Sequence, residues 1–448
     1  MRCFCLVRVA IVTVAGLGLL GLGMSAGCYD PVEHCGVVKS CGSKTLSACS
    51  NDAVDPQCRY KSSDGHAWSC SNCNGTGCGT AAQEAVDWCF SQTVGAEGTP
   101  GNGGATGSGG SGGLGGGGGS GGTTSNIFPK GPCDSYAADG GPCVAAHSTV
   151  RRLLSTYTGP LYQVRIGGSK SGTGGTIADI GFLADGFADG AAQDTACGGD
   201  ACTISKIYDQ SGKGNHLTVA PAGGAKTTPD NEADAKALPI AIAGHNVYGV
   251  HITPGIGYRN HAAVGTATGD NPETIYMLTS GDFYNAGCCF DYGNAETNSR
   301  DNGEGAAEAV YFGACTIWNT GSGAGPWVMG DLENGLWAGN VSPYGANQSV
   351  MFKYVTAMVK GDKAGKNHWT IKVGDAQSGS LTTPFDGPRP NPSYNPMRKE
   401  GAIILGIAGD NSNGAQGNFF EGVMTAHYAT NAADDAVQAN IVAAGYGL

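Results

Sequence analysis

From about residue 126 onward, apolar positions come in short runs separated by Gly, Asn, Asp and Pro. The segments "LYQVRI", "CTISKIYD", "VYGVHI", "TIYML", "EAVYFG", "PWVMGDLE", "YVTAMVK", "HWTIKVG", "AIILGIAG" and "FFEGVMTAHY" are rich in Val, Ile, Tyr and Thr. Each reads as a strand of about five to seven residues. Helical spacing is confined to "PCVAAHSTVRRLLSTY" near the start of this region and "DDAVQANIVAAGY" at its end. Many short strands with turn punctuation and little helix predict an all-β domain over 126–448, a two-sheet β-sandwich of jelly-roll type.

The pattern before residue 126 is different. Residues 1–27 place Arg2 and Arg8 ahead of an apolar run and small residues, the layout of a secretory signal peptide. Ser25, Ala26 and Gly27 before Cys28 also resemble a bacterial lipoprotein cleavage box, with Ser25 where a leucine-like residue is usual. Residues 28–92 form a cysteine-rich module with Cys28, Cys35, Cys41, Cys49, Cys58, Cys70, Cys73, Cys78 and Cys89, too short to hold together on a core alone. Lipidation of Cys28 would leave an even number able to pair completely; ordinary signal cleavage with one free thiol is the alternative. Either outcome implies export to an oxidising compartment, extracellular or at the cell surface, with the lipid as a bacterial-type membrane attachment. Cys70, Cys73, Cys78 and Cys89 could be spaced for zinc, but in an exported chain disulfides are preferred. "TAAQEAVDWCFSQ" supplies one short helix in this module. Residues 93–125 are a Gly/Ser-rich linker, and its "GGSGG" matches a hydrolase nucleophile elbow only by composition, with no strand before it and no helix after.

Composition narrows the chemistry. Charged residues make up 14% of the chain and the net charge is -12, so the concentration of Lys and Arg that nucleic acid needs is missing. Neutral or weakly charged substrates fit better. The nine histidines show neither HExxH nor tight ligand spacing, so no metal site and no cofactor are expected.

Two acidic stretches remain. In "GPWVMGDLENGLWAG", read as a strand, Val328, Gly330 and Leu332 face one side while Met329, Asp331 and Glu333 face the other. Two carboxylates on one face repel, which a glycosidase can use and an exposed strand end can tolerate. In "GIAGDNSNGAQGNFFEG", Asp410 follows an apolar strand into a polar loop, where it can present an acid to a cleft or form an Asx-turn or calcium loop. Glu333 and Asp410 are the pair that a retaining glycosidase would use, provided the fold brings them together. Trp318, Trp327, Trp337, Tyr284 and Tyr292 lie near these motifs, where rings can stack on sugars or simply pack. "NAGCCFDYGNAE" sets Cys288 beside Cys289; they can bond to each other, or one can bond to Cys315.

The segments "GPCDSYAADGGPCVAAHSTVRRLLSTYTGPLYQV", "IYDQSGKGNHLT", "GYRNHAAVGTATGD", "CCFDYGNAET", "GSGAGPWVMGDLENGL" and "EGAIILGIAGDNSNGAQGNFFEGVM" closely resemble the catalytic domain of the glycoside hydrolase family 54 α-L-arabinofuranosidases, over about 131 to 448. The resemblance implies a two-sheet β-sandwich and hydrolysis with retention, with Glu333 as nucleophile and Asp410 as general acid/base. It places Asp331, Asn334, Trp318 and the Gly409 backbone against the bound arabinose, and Cys288 and Cys289 as a vicinal disulfide beside the sugar. It pairs Cys133 with Cys143 and Cys197 with Cys202, and leaves Cys315 without a partner. Fungal-type members carry an arabinose-binding β-trefoil after this domain, whereas the sequence stops at "NIVAAGYGL", which implies weaker avidity for polymers. The implied protein is an exported, exo-acting, monomeric enzyme that removes terminal arabinofuranosyl residues from arabinoxylan, arabinan or their oligosaccharides. A non-catalytic carbohydrate-binding or surface protein with the same fold is the rival expectation.

Overall fold

The computed structural model describes residues 33–41, 44–51, 58–64, 66–69, 130–363, 367–390 and 394–448. The signal peptide, Cys28, the helix expected over 80–92, Cys70, Cys73, Cys78, Cys89 and the 93–125 linker lie outside the described residues. The chain divides into two compact units, Met1–Ser120 and Gly121–Leu448. In the first, the strands Glu33–Cys41, Lys44–Asn51, Cys58–Ser62 and Ala67–Ser69 form an antiparallel sheet in sequence order.

The second unit is a two-sheet β-sandwich. One sheet has seven strands, running Val250–Ile252, Gly417–Thr425, Glu273–Ser280, Tyr354–Gly361, His368–Asp375 and Ser378–Pro388, with Cys143–Ser148 also paired to Gly417–Thr425. The other has ten, in the order Leu336–Trp337, Trp327–Asp331, Glu308–Gly313, Asp291–Ala295, Ala402–Leu405, Tyr258–Asn260, Leu217–Val219, Cys202–Ile207, Tyr162–Ile166 and Thr176–Ile180. Between them a common apolar core takes Val310, Phe312 and Val328 from the ten-stranded sheet and Ile275, Met358 and Trp369 from the seven-stranded one. Strand alternation decides what remains for the outer face of the ten-stranded sheet. Gly330 abuts the Trp369 ring, where a Cβ would come within 2.7 Å, so it points into the core. Met329 and Asp331, one residue to either side, point the opposite way.

The all-β expectation holds, with two differences in detail. "PCVAAHSTVRRLLSTY" is not a helix: Cys143–Ser148 is a wholly buried strand registered against Glu421–Thr425. A short apolar run without β-branched alternation has no decisive period, and full burial beside the central strand sets its conformation. Arg151, just beyond it, reaches Glu421 with Nη2 2.7 Å from Oε1, a buried charge pair that only the sheet register makes available. "VYGVHI" is divided at Gly249 between His245–Tyr248 and Val250–Ile252, which belong to different sheets. Among the described residues the helices are Pro132–Ala138, Gly190–Cys197 and Asn431–Ala443, whose N-cap Thr430 accepts the Ala433 N–H. Disulfides Cys133–Cys143 and Cys197–Cys202 tie the first two helices to neighbouring strands. Among the described residues no helix is long and apolar enough to cross a membrane.

Candidate active site

The strand carrying Asp331 ends there, and the chain turns through residues 332–335 to pair Gly330 with Trp337 and Asp331 with Leu336. Glu333 is therefore on a turn and not on the strand face that alternation gave it. Its φ is +78°, a left-handed conformation unusual for a residue with a Cβ. Asp331 Oδ1 accepts the Glu333 N–H at 2.9 Å and holds the turn as an Asx-type loop. The Glu333 carboxylate is cradled by the loop ahead of strand Glu308–Gly313. Oε1 accepts from Asn302 N–H at 2.7 Å and Gly303 N–H at 3.0 Å, and Oε2 from Gly305 N–H at 2.6 Å and Ala306 N–H at 2.8 Å. Every one of these contacts is a donor, the complement of a carboxylate acceptor.

Asp410 follows strand Ala402–Leu405 on a tight loop in which Ala408 N–H donates to Ser412 O and Asn411 N–H to Ala408 O. Asp410 Oδ1 accepts Ser412 N–H at 2.8 Å, so the Asx-turn weighed from sequence is present in the same loop that faces the pocket. Buried Arg259 clamps the loop by donating from Nη1 to Gly409 O and to Asn411 Oδ1, each at 2.8 Å.

These pieces form a small pocket lined by Cys288, Glu296, Asp301, Trp318, Asp331, Glu333, Gly335, Leu336, Ala408, Gly409, Asp410 and Ser412. Glu333, Asp410, Asp331, Trp318, Cys288 and Gly409 are thus brought to one cavity. Asn334 is exposed at the tip of the turn and does not line it. Cys289 is buried behind Cys288, to which it is bonded. Both sulfur residues pack with Tyr311, Cys315, Trp327, Met329, Leu336 and Ala408, and Cys315 is a buried free thiol. Of the nearby aromatics only Trp318 reaches the pocket, while Trp327 and Tyr292 are core residues.

Two pocket acids escaped sequence reasoning. Glu296 is fully buried with no hydrogen-bond donor on either carboxyl oxygen, and it backs directly onto Gly409. Asp301 precedes the loop that cradles Glu333. Both fall in "NAETNSRDNGEG", an acid-bearing segment after the two cysteines, but nothing in its spacing distinguishes it from a solvated loop. Burial, with the charges of Asp331 and Glu333 adding and Arg259 opposing, pushes the Glu296 carboxyl up to about 8. Asp331 is pushed up to about 7, first by burial and then by Asp410 and Asp301, against hydrogen bonds from Asp291 and the Glu333 N–H. Cys289 Sγ, Asp291 and Asp331 lie within 4.8 Å of one another, but that sulfur is spent in a disulfide and offers no thiolate to a metal.

A pocket holding one carboxyl on a donor-rich turn and another on a separate loop has the equipment for nucleophilic attack and proton transfer at one carbon. The family model described as "Alpha-L-arabinofuranosidase B, catalytic" matches residues 132–447. A probable alpha-L-arabinofuranosidase B of Aspergillus fumigatus is 56% identical over 331 residues, covering 72% of this chain and 64% of that protein. An alpha-L-arabinofuranosidase of Hypocrea jecorina is 56% identical over 324 residues, covering 71% of this chain and 63% of that protein. A solved arabinofuranosidase in complex with arabinofuranosyl-alpha-1,2-xylobiose superposes with a TM-score of 0.68 at 50% identity, covering 71% of this chain and 66% of that one. The matched region thus spans less than two thirds of these relatives' length.

Proposed function

Since the chain belongs to the arabinofuranosidase B catalytic family, we propose that its pocket hydrolyses terminal α-L-arabinofuranosyl units with retention of configuration. Glu333 attacks the anomeric carbon while Asp410 gives a proton to the leaving oxygen; Asp410 then takes a proton from water, which releases arabinose. The four backbone N–H donors around Glu333 hold it in place and match the negative charge it carries before attack. Asp331 and the Gly409 backbone supply polar contacts to the sugar, Trp318 a partly exposed ring, and Cys288 an apolar sulfur surface. Asn334, already in solvent, can reach only the outer edge of the sugar.

The observation that carries this reading is that Glu333 and Asp410, 77 positions apart in sequence (410 minus 333), line one small pocket. Arabinoxylan-derived oligosaccharides are the favoured substrates, because the complexed relative holds an arabinofuranosyl-xylobiose. A Trichoderma koningii relative, 55% identical, is named an arabinofuranosidase/β-xylosidase, which makes xyloside cleavage the second reading. Rates on 4-nitrophenyl α-L-arabinofuranoside and β-xyloside decide between them: a dominant arabinofuranoside rate is expected, and no turnover of either would leave a carbohydrate-binding protein.

Three disulfides in this unit fit an exported enzyme. Lipidation at Cys28 would hold it at a membrane surface, and the mass of the mature N-terminus tests that: an unmodified end at another residue refutes it.

A further inference from the structure

One acid beneath the pocket has no part in the steps above. Asp291 opens strand Asp291–Ala295, is fully buried, and receives no N–H or O–H donor on either carboxyl oxygen. An oxygen of its carboxyl lies within 4.8 Å of an Asp331 oxygen and of Cys289 Sγ. The sulfur, bonded to Cys288, supplies neither charge nor proton. The titratable groups that bear most strongly on Asp291 are Asp331, Cys315 and Glu296, and Asp291 in turn bears on Tyr311.

Two ionised carboxylates so close in a buried site would repel strongly, and a lone buried carboxylate without donors is equally unfavourable. One proton held between them removes both penalties. Asp291 is then the O–H donor and Asp331 the acceptor, in keeping with the Asp291 carboxyl being driven well above its ordinary range by burial first and by Asp331 next. Asp331 is held from two sides in this arrangement, because its Oδ1 also accepts the Glu333 N–H at 2.9 Å.

We propose that Asp291 is a positioning residue whose carboxyl shares one proton with Asp331, fixing both the direction in which Asp331 meets the sugar and the turn that carries Glu333. The proposal rests on the reading of the pocket as an arabinofuranosidase site.

Asp291→Asn and Asp291→Leu in the full chain test it. Asp291→Asn keeps an N–H donor toward Asp331 but has no titratable proton. It should retain kcat/KM within about threefold at the optimum, lose one component of the buried protonated-carboxyl infrared band, the rest of which belongs to Glu296 and Glu273, and merge the two proton losses of the pair into one in the pH profile. Asp291→Leu removes the donor and should lower kcat/KM about tenfold or more. An unchanged infrared band and pH profile in Asp291→Asn, or Asp291→Leu as active as Asp291→Asn, would overturn the proposal. Should Asp291→Leu fail to fold, the infrared band and pH profile of Asp291→Asn decide alone. A wild-type protein that cleaves no arabinofuranoside would refute the reading of the pocket instead, while the infrared band would still report on Asp291.

Discussion

Glu296 Oε2 occupies the space that a Cβ on Gly409 would need, so a buried acid and a loop backbone share one wall of the pocket. Only a residue without a Cβ leaves room for that carboxylate behind the pocket wall. Gly409→Ala should therefore displace Glu296, cost about 1–3 kcal/mol of stability by overpacking, and lower kcat/KM by roughly tenfold. Removing the obstruction restores room, so Gly409→Ala with Glu296→Ala should cost less than the sum of the two single changes. Additive losses in denaturant melts of the four proteins would show that the contact is not the cause.

The same acid gives the fold a pH dependence. With its pKa raised from 4.5 to about 8, Glu296 keeps in the folded chain a proton that the unfolded chain releases. The folded state then binds more protons between those values, so this contribution to stability is complete below about 4.5 and is lost as pH rises through about 8. Asp331, raised from 3.8 to about 7, acts in the same direction. Thermal midpoints should fall by about 2 °C or more across that window. Glu296→Gln, which keeps the shape without titrating, should flatten part of the slope, the remainder belonging to the other raised carboxyls, Asp331, Asp291 and buried Glu273 among them. A variant slope equal to that of the wild type would contradict the assignment.

The vicinal disulfide is expected to matter for binding before stability. Cys288 lines the pocket, whereas a bridge across a sequence separation of 1 closes almost no chain and so restricts the unfolded state little. Replacing both cysteines by alanine should raise KM several-fold, corresponding to about 1 kcal/mol of lost apolar contact, with little change in thermal midpoint. A large drop in midpoint with unchanged KM would make the bridge a structural staple.

Much of the sandwich was legible because alternating, β-branched runs map onto half-buried strands: "EAVYFG" is strand Glu308–Gly313 residue for residue. Cys143–Ser148 was not, because its alanines carry no period and its conformation comes from a partner strand about 275 residues away in sequence. At the site, Asp331 could be placed from strand alternation, but Glu333 could not, since the Asp331 side chain itself ends the strand by capturing the next-but-one N–H. Asp291, Glu296 and the N–H groups around Glu333 gain their meaning only from burial and from neighbours in other strands. Those are properties of the tertiary fold, with no local pattern to mark them.

Turnover by Glu333→Gln decides whether Glu333 is the nucleophile. With 4-nitrophenyl α-L-arabinofuranoside as substrate, the folded variant should release 4-nitrophenol about a thousandfold or more slowly than the wild type, because its amide cannot form the glycosyl-enzyme bond. A correctly folded Glu333→Gln protein with wild-type kcat would contradict the assignment of Glu333 as nucleophile and, with it, the proposed mechanism.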